Sequence, residues 1–391
     1  MSAALAASYG FWHAKSEPRA VRMKNTGEVN RKLQLAGRPL RIGFVPLADC
    51  APFLVARELG LFARHGLNVQ LSREIGWATL RDKLVYGELD AAHAPGPMLF
   101  ALNLGMGSRA CGCVTGLVLN HHGNTITLSR KLWREGVRDG NTLRAHLRSR
   151  RDPLVLGVPF LFASHQFLLR KWLKSHGIEP GHSTRLVVAP PLQMPDHLQA
   201  GHLDGYCAGE PWGSVAAASR TGWIAATSEE VSCMHPEKVL AVTPQLANQR
   251  PEEHTRLIAA LLEACQYCES SENYPDLLSM LVQSNAVAAP IESLRPGFGG
   301  KLNRGDASLE SSVRIHRFYG ADVNEPTAAK ADWIIQNIRE AALCPSPSEL
   351  TPALTRRIFR PDIFKQAQGY LQSNLTDSNH ENAFETAKIT N

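Results

Sequence analysis

From Leu40 onward, short apolar runs alternate with segments whose apolar residues recur at helical spacing. "LRIGFVPL" predicts a strand, and "APFLVARELGLFARHG" a helix that Gly66 stops. "NVQLSRE" predicts a strand followed by a helix over "WATLRDKLVYG", and "LDAAHAP" a strand followed by a helix over "GPMLFALNLG". Strand–helix alternation of this kind implies βαβ units and parallel sheets. "EKVLAVTP", starting at Glu237, predicts a later strand, and "PEEHTRLIAALLEACQYCESSENYPDLLSMLVQ" opens a mainly helical remainder.

The pattern occurs twice. "LVYGELDAAHAPGP" (Leu84 to Pro97) and "LQAGHLDGYCAGEP" (Leu198 to Pro211) share Leu, Gly, Leu, Asp, Ala and Pro at identical offsets. The same shift pairs Gly43 with Gly157, Phe53 with Phe167, Leu54 with Leu168 and Leu59 with Leu173. A constant register across several elements predicts two similar α/β lobes. The expected boundaries are 39–122 for the first lobe, 123–235 for the second and 236–376 for a return to the first, with polar tails over 1–38 and 377–391. Two such lobes bind a ligand between them, at the carboxyl ends of the strands.

Composition adds limits. At 391 residues, with 44% hydrophobic and 20% charged residues, each lobe can bury its own core. A net charge of +6 suits anionic partners but is far from a nucleic-acid footprint. Of the eight cysteines, Cys111 and Cys113 fall in an apolar run that predicts a strand, and Cys265 and Cys268 on an amphipathic helix. Neither pair has a histidine pair at zinc-finger spacing, so free buried thiols, no metal and a reducing compartment are expected. The first residues show no basic segment before an apolar stretch, and no window reaches membrane-spanning length. The expectation is a cytoplasmic protein without a membrane segment or cofactor.

Candidate site residues fall where helix N-termini meet the predicted cleft, because unpaired N–H groups there favour anions. Trp77 and Thr79 open one helix, and Ser164 and His165 another. "GEPWG" (Gly209 to Gly213) ends a strand of the second repeat, bringing Gly209, Glu210, Pro211 and Trp212; Lys238 begins the return strand. "NHHGNTITLSR" (Asn120 to Arg130) makes the first crossing between lobes and offers His121 and Asn124. A small, weakly hydrated oxyanion suits such neutral donors backed by one or two cations, here His165 and Lys238. Glu210 would repel an anion unless one of those cations neutralises it, so its expected role is positioning. No nucleophile–base set or paired catalytic carboxylates can be read. The arginine-rich run from Ser129 to Asp152 reads as a solvated face or a partner contact.

Together, "GFVPLADCAPFLVARELGLFARHGLNVQLSRE", "WATLRDKLVYGELDAAH", "GEPW" and "HPEKVL" resemble the nitrate-binding proteins of the NrtA type, from about Leu40 to about Tyr370. The resemblance implies a type II periplasmic-binding-protein fold and nitrate or nitrite held between closing lobes. It implies ligand-binding roles for Trp77, His165 and Lys238, with "NHHGNTITL" standing where the family carries a glutamine-bearing hinge. His121 or Asn124 then replaces an amide donor, which leaves nitrate against nitrite open. Bicarbonate-binding relatives lack the His–Lys pair. Without an export signal, the chain is similar to the cytoplasmic NasS-type sensors, which hold a NasT-type RNA-binding antiterminator inactive until ligand binds. The alternative is the solute-binding component of an ABC nitrate/nitrite transporter.

Overall fold

The computed structural model describes residues 38–233, 235–306 and 314–374. The polar tails expected over 1–38 and 377–391 lie outside the described residues, apart from residue 38 itself. Two sheets organise the rest. The first has the order β11-β4-β10-β3-β1-β2 and the second β7-β6-β8-β5-β9. The strands are β1 (Leu40–Phe44), β2 (Val69–Arg73), β3 (Ala91–Pro95), β4 (Val118–His122), β5 (Asn124–Ser129), β6 (Leu154–Val158), β7 (Thr184–Val188), β8 (Gly205–Gly209), β9 (Gly222–Thr227), β10 (Pro236–Val242) and β11 (His316–Arg317).

The repeat is visible in the pairing. β1 runs parallel to β2 and β3, as β6 does to β7 and β8. In each sheet an antiparallel strand then adds beside the third member: β10 against β3, and β5 against β8. The matched residues have matched jobs. The Asp90 carboxylate accepts from the Arg41 amide at 2.9 Å, and the Asp204 carboxylate from the Val155 amide at 2.9 Å. A Cβ at Gly43 would stand 2.5 Å from Leu89, and one at Gly157 would stand 2.9 Å from Leu203. The glycines recur because a leucine closes over the strand at that point in both lobes.

The chain crosses between sheets at His122–Gly123–Asn124, where His122 and Gly123 adopt left-handed φ values of 62° and 107°. It returns through β10. The helix Pro251–Glu269 packs on the helix Ala51–Glu58 in the first lobe. A core belonging to the second lobe gathers around Leu156, Leu169 and Trp223, while the first lobe's core is continuous with Phe167 and Trp212 of the second. The lobes are therefore in contact.

Two expectations need correction. The predicted helix after β1 is broken: Gly60, at φ 67°, ends one helix and a separate turn, Leu61–Arg64, follows before Gly66. Cys111 and Cys113 lie in extended chain outside any strand, with their sulfurs 3.6 Å apart as free thiols. Cys265 and Cys268 are buried on their helix, as the periodicity indicated. No described helix is long and apolar enough to cross a membrane.

Candidate functional site

Lys238 lies opposite Pro95 at the carboxyl end of β3 and opposite Asn120 of β4. The β4–β10 ladder shifts register on both sides of Lys238. A regular strand would send Glu237 and Lys238 to opposite faces; a register shift re-aims a side chain. Here the Lys238 ammonium meets the Glu237 carboxylate at 2.7 Å and that of Asp49, from the loop after β1, at 2.8 Å. All three side chains are 0% exposed.

Histidines surround this ion cluster. His93 Nε2 is 3.2 Å from Asp49, and His235 Nε2 is 3.2 Å from Glu237. From the second lobe, Ser164 Oγ donates to Glu237 at 2.5 Å, and His165 Nε2 stands 3.8 Å from the same carboxylate. Burial would push both carboxyls up, but Lys238 and the histidines carry Asp49 and Glu237 below the usual carboxylate range. Burial would likewise lower the Lys238 ammonium, and the two carboxylates raise it instead. His165 is different: burial drives its imidazole down to about 3 against the pull of Glu237, so it is neutral. Trp77 completes the group, its ring 5.3 Å from the His165 ring and 5.3 Å from the Lys238 ammonium.

The second lobe closes the site with backbone groups, amides and one carboxyl. The Ala48 amide donates across the lobes to the Glu210 carbonyl at 2.8 Å. Gly209 pairs with Asn124, and a Cβ there would stand 3.1 Å from Leu47 and 3.5 Å from the Asn124 amide oxygen. Glu210 is buried, accepting from Thr125 Oγ1 at 2.8 Å and from the Ser214 amide at 3.2 Å, and burial raises its carboxyl. The Glu210–Pro211 peptide is cis, and the Trp212 carbonyl accepts from Tyr206.

Among the predicted residues, the fold brings Trp77, His165 and Lys238 together, and sets Asn124 and Gly209 beside Leu47 at the same end of the sheets. Two expectations fail. His165 does not arrive as a cation, because its burial outweighs its carboxylate neighbour. Thr79 is exposed on its helix. Glu210, expected to position rather than contact the ligand, meets a hydroxyl and an amide. Register sets Asn120 beside Lys238 and His121 beside Pro236; burial takes the His121 imidazole down to about 3, with Lys330, His122 and His235 adding to the fall.

What the sequence reading missed is the acidic half of the site. Asp49 sits in "LADC" directly after β1, and Glu237 adjoins Lys238 in "HPEKVL". A carboxylate at the carboxyl end of a predicted strand is a usable signal for the first. The second needed the register shift, which sequence does not display. Trp77 Nε1, both ring nitrogens of His165, both side-chain polar atoms of Asn124 and Trp212 Nε1 are buried without a hydrogen-bond partner among the described residues. The donors among them cost free energy unless an acceptor satisfies them. They suit a small, dispersed anion better than a hard dianion. Among the described residues no group of histidine, cysteine or acidic side chains could hold a metal ion. A separate groove of about 350 Å³, lined by Phe167, Arg170, Lys171 and Asn337 among others, shares none of these residues.

Comparison with known proteins gives a consistent picture. The model of the NMT1-like family matches residues 34–282. The nitrate import ATP-binding protein NrtC of Synechocystis is 35% identical over 347 residues, 88% of this chain and 52% of that protein. The bicarbonate transport ATP-binding protein CmpC of Synechococcus elongatus is 37% identical over 331 residues, 84% of this chain and 49% of that protein. The chain thus spans about half the length of these curated relatives. The crystal structure of the periplasmic nitrate-binding protein NrtA from Synechocystis superimposes with a TM-score of 0.81 at 25% identity, covering 86% of this chain and 90% of that one. The two lobes are those of the periplasmic-binding-protein fold.

Proposed function

The chain belongs to the NMT1-like family, and from that premise we propose that it binds nitrate or nitrite between its lobes. One observation carries the reading: the unpartnered donors of Trp77, His165 and Asn124 lie buried at the lobe junction that holds the Lys238 ammonium. The nitrate named for NrtC and NrtA supports that ligand class, and the bicarbonate named for CmpC is the competitor. Titration calorimetry with nitrate, nitrite, bicarbonate and sulfate tests the choice. Heat with nitrate or nitrite is expected; binding of bicarbonate or sulfate alone sinks it.

The finer proposal is regulatory. The protein acts in the cytoplasm as a nitrate/nitrite sensor, and a NasT-type antiterminator reads its open, empty form. A ligand moves an open–closed equilibrium only through its different affinities for the two states. Partner and anion must then weaken each other by the same factor. Size-exclusion of the two proteins should give a complex that nitrate or nitrite dissolves and chloride leaves intact. The second reading, a component of an ABC importer, draws on the transport names of the relatives. A complex that never forms, or that survives saturating nitrate and nitrite, favours it.

A further inference from the structure

The buried junction holds an unusual charge count for a site that receives an anion. Its fixed charges are one ammonium, Lys238, held between two carboxylates at 2.7 and 2.8 Å. Counted over these three side chains alone, the sum is negative before a ligand arrives, with His93 and His235 standing 3.2 Å from the two carboxylates. A monovalent anion seated beside Lys238 would add a further negative charge to groups that are 0% exposed, where like charges interact strongly. Nitrate cannot relieve this itself, being the conjugate base of a strong acid. The relief must come from the protein, by proton uptake or by expulsion of a carboxylate.

The geometry favours the proton. Glu237 is held from two elements at once, by Ser164 of the second lobe and by Lys238 and His235 of its own strand region. Asp49 is held by Lys238 and His93, with His316 adding its influence from β11. Expelling either carboxylate breaks several contacts. His165, in contrast, has both ring nitrogens without a hydrogen-bond partner among the described residues, and its Nε2 is 3.8 Å from Glu237. The charged and titratable groups acting on it are Glu237, Lys238, Asp49 and His235. A proton on His165 would convert that near contact into an ion pair and leave an N–H for the anion.

Resting on the proposed anion site, we infer that binding takes up one proton from solvent, held on the His165 imidazole against Glu237, so that Glu237 is a positioning residue for the ligand. The anion and the proton enter together, and the junction's net charge does not change. Affinity therefore depends on pH although nitrate does not titrate. Over the pH range where the complex holds the proton and the empty site does not, the dissociation constant should rise about tenfold per pH unit.

Calorimetry with sodium nitrate and sodium nitrite, in two buffers of different ionisation enthalpy, counts the protons directly. At pH 7.5 the wild-type chain should take up close to one proton per anion, and Kd should climb steadily from pH 6.5 to 8.5. In Glu237→Gln the uptake should fall below half a proton and the pH slope should flatten while binding persists. Anion binding with no proton uptake and a flat Kd overturns the inference and leaves the binding function standing. Full uptake in Glu237→Gln overturns the assignment to this pair. If no nitrate or nitrite binds anywhere between pH 5.5 and 8.5, the proposed function itself fails, and the inference with it.

Discussion

Glu237 and Glu210 stand near the carboxyl ends of the two sheets, both enclosed, and their carboxyls are driven in opposite directions. Burial pushes each one up. Glu237 faces the Lys238 ammonium and two histidines and falls well below the usual range. Glu210 faces a threonine hydroxyl and a serine amide and stays raised. The two lobes share a scaffold down to the aspartate that caps a strand amide and the leucine that covers a glycine. They part company at the strand ends, where one lobe carries the Lys238–Asp49–Glu237 cluster and the other a carboxyl that meets a hydroxyl and an amide. Repetition at one end of a sheet and divergence at the other is how a duplicated scaffold acquires a single asymmetric site.

The harshest way to break this contrast is to remove the ammonium. Lys238→Met leaves Asp49 and Glu237 buried and unpaired, an imbalance that costs about 3–5 kcal/mol. Urea denaturation should show the loss, and it should deepen as pH rises, because the abandoned carboxylates then bind protons more tightly folded than unfolded.

On the ligand side, His165→Ala should cost about 1.5–3 kcal/mol of nitrate affinity, roughly ten- to hundredfold, read by calorimetry. Near wild-type binding would mean that the anion sits elsewhere.

A sharper instrument is the pair Glu237→Gln and Glu210→Gln, compared by denaturation between pH 4 and 8. Glu237, depressed when folded, contributes stability that is present above its unfolded value and lost on acidification. Its amide variant should therefore fall further behind the wild type as pH rises, by about 1–2 kcal/mol. Glu210, raised when folded, contributes stability present at low pH and lost as pH rises through its folded value. Its amide variant should cost about 1 kcal/mol or less and gain on the wild type with rising pH. Parallel slopes would mean that the two carboxyls feel equivalent surroundings.

Smaller still are the changes where the lobes agree. Gly43→Ala and Gly157→Ala should each cost about 1 kcal/mol in thermal unfolding, the first more, since its added methyl stands 2.5 Å rather than 2.9 Å from a leucine that can yield. Thr79→Ala, on an exposed position, should move stability by less than about 0.5 kcal/mol and leave anion affinity unchanged.

The scaffold was legible because its rules are local and periodic. Apolar runs mark β1, β3 and β6, and the shared offset between Asp90 and Asp204 gives away the duplication. The site was half legible. Trp77 and His165 stand at helix starts that the pattern reveals, and Lys238 lies three residues into β10. Glu237 escaped because strand alternation places it on the wrong face until the register shift is known. The charge of His165 depends on how deeply the other lobe buries it, which no local segment specifies.

The closure of the lobes has one more consequence, and it concerns time. Trp77, His165 and Lys238 are each 0% exposed, so on the proposed function an anion would reach or leave them only while the lobes stand apart. Exchange can then run no faster than the lobes separate, however concentrated the solution. Such a protein samples its surroundings at intervals set by its own opening. Fluctuations briefer than one closed lifetime pass unrecorded, and the enclosed cleft becomes a filter on frequency as well as on chemistry.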